Sequence, residues 1–104
     1  MPNISQIDIH TVNEYLENGS ATIVDIRDAA SFAMGHIPSA ISLNEQNVEQ
    51  LIEQLDKQKP IVVCCYHGIS SQGAAGYLMS KGFTDVHSMM GGFEAWQQNY
   101  PSEQ

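Results

Sequence analysis

Apolar residues in this chain fall into short runs whose spacing switches repeatedly between strand and helix periods. Ile4, Ile7 and Ile9 predict a short first strand. His10 to Asn18 then reads as a helix, because Val12, Tyr15 and Leu16 keep helical spacing and Gly19 supplies a stop. Thr22-Ile23-Val24-Asp25-Ile26 is a compact β-branched run suited to a buried strand. Asp28 to Met34 predicts one or two helical turns ended by Gly35. Ala40-Ile41-Ser42-Leu43 reads as a further strand, and Asn44 as the N-cap of a helix reaching Asp56. The buried stripe of that helix is Val48, Leu51, Ile52 and Leu55. Lys57 and Lys59 follow at its C-terminal end, where the helix dipole favours cations.

Pro60-Ile61-Val62-Val63-Cys64-Cys65 is the most apolar run in the chain. Its continuous hydrophobicity predicts a strand covered on both faces, as in a parallel sheet. Ser71 to Lys81 reads as the next helix with Gly82 as its stop, and Val86 as the centre of a last short strand. A Gly91-Gly92 loop then leads into a terminal helix from Phe93 to Asn99, before Pro101. Strand and helix alternate throughout, which calls for an α/β layered domain with a mostly parallel sheet. In such sheets ligands collect at the carboxyl ends of the strands.

Length and charge narrow the function. A chain of 104 residues has material for one core, so residues 1–104 are expected to be a single domain. With 42% hydrophobic and 15% charged residues it is globular rather than disordered. Twelve acidic residues against four basic ones leave a formal charge of −8, which argues against nucleic acid and anionic membranes as partners. No apolar run approaches the ~20 residues of a membrane span. The opening Met-Pro-Asn-Ile-Ser-Gln lacks signal-peptide character, so a soluble, cytoplasmic protein is expected. Cys64 and Cys65 are adjacent, a poor geometry for a structural disulfide and the wrong spacing for a metal site. His10, His36, His67 and His87 are scattered, so no zinc site is expected.

The chemistry then concentrates on one segment. Cys65 ends the central strand and is followed by Tyr66-His67-Gly68-Ile69-Ser70-Ser71, with a helix beginning near Ser71. Such a loop turns sharply, Gly68 permits a positive φ, and the free amides converge on the sulfur. The helix behind adds partial positive charge. Both favour the thiolate, which is the nucleophile. Strand alternation points Cys64 the other way, as a small buried thiol.

The string Cys65-Tyr66-His67-Gly68-x-Ser70-Ser71 resembles the active-site loop of the rhodanese family, in particular its single-domain GlpE-type sulfurtransferases. Asp25-Ile26-Arg27-Asp28 with Phe32 and Gly35-His36-Ile37-Pro38-Ser39-Ala40 resembles the family's first signature. Gly91-Gly92-Phe93 with Trp96 resembles its C-terminal one. The resemblance implies a three-layer α/β fold, a five-stranded, mainly parallel sheet between helices. It also implies thiosulfate sulfurtransferase activity by a ping-pong cycle. Cys65 takes the outer sulfur of thiosulfate as a persulfide, then passes it to cyanide, a small thiol or a dithiol protein such as thioredoxin. Covalent storage of this kind splits one difficult transfer into two. A non-catalytic binding module and a sulfur carrier fed by a desulfurase are the rival readings. Phosphatase chemistry is disfavoured, because Ser71 stands where an arginine fork would close the loop.

The supporting residues carry two readings each. Arg27, the sole arginine, either pairs with Asp25, Asp28 or Glu94 or organises the active-site mouth. Asp25 more readily ties down a loop than transfers protons. His67 either lends charge to the thiolate or faces solvent. Ser70 and Ser71 either donate to the persulfide or cap the helix, with capping preferred for Ser71 although the two jobs are compatible. His36 braces a turn before Pro38, while Phe32, Phe93 and Trp96 pack the core, one or two of them walling the pocket.

Overall fold

A computed structural model describes residues 4–104; Met1-Pro2-Asn3, half of the stretch read as lacking signal-peptide character, lies outside them. The elements in order are β1 (Ser5–Ile7), α1 (Ile9–Asn18), β2 (Thr22–Asp25), α2 (Ala29–Met34) and β3 (Ile41–Ser42). They continue with α3 (Val48–Gln54), β4 (Ile61–Cys64), α4 (Ser70–Ser80), β5 (Val86–Met89) and α5 (Gly92–Asn99). The strands form one sheet in the order β1-β5-β4-β2-β3. Each of its pairings is parallel, with Asp25 beside Cys64 and Val63 beside Ser88.

The central position of β4 explains its composition. All four of its residues are buried, and they alternate between two cores. Val62 and Cys64 join Ile23 and Met89 on one face, against Ile9 and Val12 of α1 and Phe93 and Trp96 of α5. Ile61 and Val63 join Val24 and Val86 on the other, against Ala75 and Leu78 of α4 and the partly buried stripe of α3. Helices therefore cover both faces, giving the three layers expected. No helix among the described residues is long and apolar enough to cross a membrane.

Local chemistry sets most boundaries. The Asp8 side chain accepts from the Thr11 amide at 2.8 Å and caps α1, so Ile9 opens the helix instead of closing the first strand. Gly19 ends α1 at φ 64°, its N–H returning to the last carbonyls. Asp28 caps α2 through the Ser31 amide. The α3 boundary differs from expectation. Asn44 accepts from the Gln46 and Asn47 amides at 2.8 and 3.0 Å, building a separate turn, and the helix proper waits until Val48. An asparagine side chain satisfies such a turn as readily as a helix start. The Lys57 ammonium reaches the Ile52 carbonyl at 2.5 Å, supplying the cation anticipated at that C-terminus.

Candidate active site

Cys65 is the first residue beyond β4. The chain leaves β4 toward β5 and leaves the neighbouring β2 toward β3, so a crevice opens between these two strand ends. Cys65 sits in it with 4% of its surface exposed. Its Sγ receives the Gly68 N–H at 3.0 Å and lies 3.2 Å from the Ser71 hydroxyl. Ser71 Oγ lies in turn 2.6 Å from Ser88 Oγ on β5. Burial pushes the Cys65 thiol up, but the Ser71 hydroxyl and the backbone N–H groups of Ser71, Gly68 and His67 outweigh it and hold the thiol below its ordinary value. With the sulfur ionised, Ser71 donates to it and Ser88 donates to Ser71, so the hydroxyl protons of both serines have an acceptor.

The loop presents N–H groups inward because its carbonyls are held outward. Cys65 O accepts from the Phe93 amide at 2.7 Å and Tyr66 O from the Glu94 amide at 3.0 Å. These are the otherwise orphaned donors at the start of α5. Gly68 O is held by the Gln72 side-chain amide at 3.0 Å. Two glycines make the packing possible. Gly68 has φ 91°, and a Cβ there would stand 2.8 Å from the Gly91 amide. Gly92 has φ 60°, and a Cβ on it would run into the carbonyls of Cys65 and Tyr66.

Cys64 points away from this cradle. It is wholly buried in the α1/α5 core, and burial followed by the Asp25 charge pushes its thiol strongly up. Two adjacent thiols thus experience opposite environments. Arg27 takes its structural reading: its guanidinium bonds both Asp25 carboxylate oxygens, the closest contact being 2.7 Å. It also donates to Gly35 O at 2.7 Å and lies 4.0 Å from the Phe93 ring centroid. One side chain so joins β2, the end of α2 and α5. Both members of the pair are buried, with side chains 6% and 0% exposed.

His67 faces solvent, its Nδ1 2.6 Å from Glu94 Oε2, so its imidazole is engaged away from the sulfur. Ser71 is a correction. The helix begins one residue earlier, at Ser70, and the N-cap position falls on Ile69 without any side-chain cap bond. Ser71 is buried in the first turn with its hydroxyl on Cys65. Ser70, Ile69 and Tyr66 lie at the surface, and Tyr66 and Ser70 line a cavity of about 310 Å³ with Cys65, Ile26, Arg27, Asp28 and Ser31. His36 braces its turn as expected, through Phe32 O at 2.8 Å and a ring stack on Phe32 at 3.9 Å. Phe93 and Trp96 are core residues, and Phe93 also walls an adjoining cavity over Arg27. Sequence reasoning missed Ser88 and Gln72. Ser88 carries no local signal, since only the β4–β5 pairing brings it near the loop. Gln72, four residues beyond Gly68 at helical reach, was discernible from spacing.

Comparison with known proteins agrees with this geometry. The rhodanese-like domain model matches residues 8–99. The chain is 45% identical over 104 residues to the thiosulfate sulfurtransferase GlpE of Vibrio cholerae, spanning 99% of this chain and 98% of that protein. It is 47% identical over 98 residues to the protein of the same name from Shewanella oneidensis, spanning 94% and 97%. Among solved structures, a rhodanese-like domain from an Anabaena protein superposes with a TM-score of 0.85 at 31% identity, covering 97% of this chain and 80% of that one. A buried cysteine cradled by backbone amides at a strand end, a five-stranded parallel sheet and these relatives lead to one conclusion: the chain belongs to the rhodanese family.

Proposed function

We propose that this protein is a thiosulfate sulfurtransferase, residues 1–104 acting as one rhodanese domain with Cys65 as its nucleophile. The observation that carries the reading is the Cys65 sulfur held by the Gly68 N–H and the Ser71 hydroxyl at the end of β4. The Cys65 thiolate bonds the outer sulfur of thiosulfate, the S–S bond breaks, and its electron pair leaves with sulfite. Cys65 then carries a persulfide whose negative charge the loop amides stabilise. Cyanide or a thiol bonds the outer sulfur, and the electron pair returns to Cys65. Tyr66, His67, Gly68, Ile69, Ser70 and Ser71 form the substrate loop, with Asp25 and Arg27 as its buried support. No metal or organic cofactor enters these steps.

One feature in particular supports sulfur transfer over phosphate chemistry. The Arg27 guanidinium is already engaged by Asp25 and Gly35, so the chain has no free fork for a phosphoryl group. Acceptors include cyanide, small thiols and a dithiol protein such as thioredoxin; nucleic acid and membranes are not partners. Free Cys64 and Cys65 side by side suit a reducing compartment, the cytoplasm.

Intact-mass measurement after thiosulfate treatment tests the cycle. One added sulfur, removable by cyanide with release of thiocyanate, is expected in the wild type and in Cys64→Ser. Cys65→Ser should gain none. A Cys65→Ser protein that still forms thiocyanate sinks the assignment, and a wild type that never gains mass sinks the covalent mechanism.

A further inference from the structure

Beside the Cys65 crevice lies a larger opening that the cycle above does not use. Its volume is about 580 Å³, and Ile26, Leu43, Val48, Ala74 and Tyr77 make it predominantly apolar, with Asn44 and Glu45 at its lip. Ile26 lines both this groove and the Cys65 cavity, so the two adjoin at that side chain. The α4 helix supplies the common wall: Ser70 at the mouth, then Ala74 and Tyr77 four and seven residues on, share one helix face. At the helical rise, Ser70 to Tyr77 spans about 10 Å. Val48 of α3 and Leu43 after β3 close the opposite side. Tyr77 remains 43% exposed, so a large apolar side chain stands at the outer end of the groove.

Charge decides the kind of molecule that fits. Arg27 is neutralised by Asp25, Glu45 is the one charged residue in the groove lining, Lys81 Nζ lies 5.4 Å from the Tyr77 ring centroid at the outer end, and the chain carries −8 overall. Inside the groove an anionic arm would meet the Glu45 carboxylate and apolar side chains that offer it no hydrogen-bond donor. An uncharged apolar arm would cover surface that otherwise faces water.

We infer that the groove from Ile26 to Tyr77 is an acceptor subsite for thiols whose sulfur is carried on an uncharged apolar arm. The inference rests on the sulfurtransferase reading and names its acceptor class. With the arm in the groove, the acceptor thiolate lies at the Ser70 end beside Cys65. It bonds the outer persulfide sulfur, the sulfur–sulfur bond to Cys65 breaks, and its electron pair returns to Cys65 Sγ. The product is the acceptor's hydropersulfide anion, and no oxidant or reductant is consumed.

The test uses the thiosulfate-loaded protein with straight-chain alkyl thiols of three to six carbons, whose thiol groups ionise alike. Cyanide, too small to need the groove, is the reference acceptor in the same preparation. The ratio of thiol to cyanide kcat/KM should rise about two- to fourfold per added methylene, the gain from burying each CH2 group. Ala74→Phe, which fills the groove at mid-length, should flatten that series. Val48→Thr, nearly isosteric and gentle on the fold, should reduce its slope. A wild-type ratio independent of chain length overturns the subsite, as does a slope unchanged in both variants. Loss of cyanide transfer in the wild type overturns the sulfurtransferase reading itself, so the two failures are distinguishable.

Discussion

At the scale of single residues, the difference between Cys64 and Cys65 shows how position governs reactivity. The thiols are chemically identical and adjacent, yet one is raised by burial and a neighbouring carboxylate while the other is lowered by converging donors. Ser71 is the side-chain part of that cradle. Its removal leaves a buried sulfur anion with one donor fewer, a loss of about 1.5–3 kcal/mol for a bond to a charged group. In Ser71→Ala, sulfur transfer should fall at least about tenfold. Iodoacetamide alkylation of Cys65 against pH provides the check. The thiolate persists as pH falls below the free-cysteine value in the wild type, and is lost as pH drops through the lowered folded pKa. In Ser71→Ala that midpoint should move upward, toward free cysteine. An unmoved midpoint would show that the backbone amides alone set the ionisation. The nucleophile and its loop were legible in the sequence because strand, Gly68 and helix follow one another locally. For Ser71 the sequence held both jobs, sulfur donor and cap, and preferred the cap; the helix start lies one residue earlier and leaves the hydroxyl on the sulfur.

Elements hold the cradle in place through contacts distant along the chain. The start of α5 donates to the loop carbonyls, and Arg27 links β2, Gly35 and Phe93. Removing the guanidinium leaves Asp25 charged and buried without its partner, which costs about 3–5 kcal/mol. Arg27→Ala should lower the urea midpoint by that stability. Arg27→Lys should recover only part of it, because an ammonium cannot reproduce the planar fork. If Arg27→Ala is as stable as wild type, the clamp is dispensable. The sequence held both readings of Arg27, pairing or mouth; the return of α2 beside β2 and α5 supplies the pairing, and the same side chain lines the Cys65 cavity. Asn44 teaches a related lesson. Its side chain was correctly read as a capping acceptor, but it serves a turn ahead of α3, a choice that local propensity leaves open.

Over the whole molecule, a net charge of −8 opposes a local cradle built for an anion. Backbone dipoles act within the crevice, whereas the diffuse surface charge acts on the approaching dianion and is screened over ~8 Å at physiological salt. The kcat/KM for thiosulfate should therefore rise as sodium chloride increases from low to physiological ionic strength. A fall would mean that an attractive field dominates the approach. Alkyl thiols, which carry at most a single negative charge on the sulfur, should show a smaller salt dependence than the thiosulfate dianion.

The amino-acid sequence by itself determined the order of strands and helices, the buried central strand and the cysteine at its end. Each depends on periodicity, propensity or turn chemistry among near neighbours. Only the tertiary structure decided that Ser88 supports Ser71, that Gly92 allows α5 to dock on the loop, and that Ile26 borders both the groove and the crevice. Those contacts follow from which strands lie side by side and which helices cover them. Their partners are separated along the chain by tens of residues, so no local pattern encodes them. The sulfur is activated where these two levels meet: a locally formed loop, with its carbonyls turned outward by a helix from the other end of the chain.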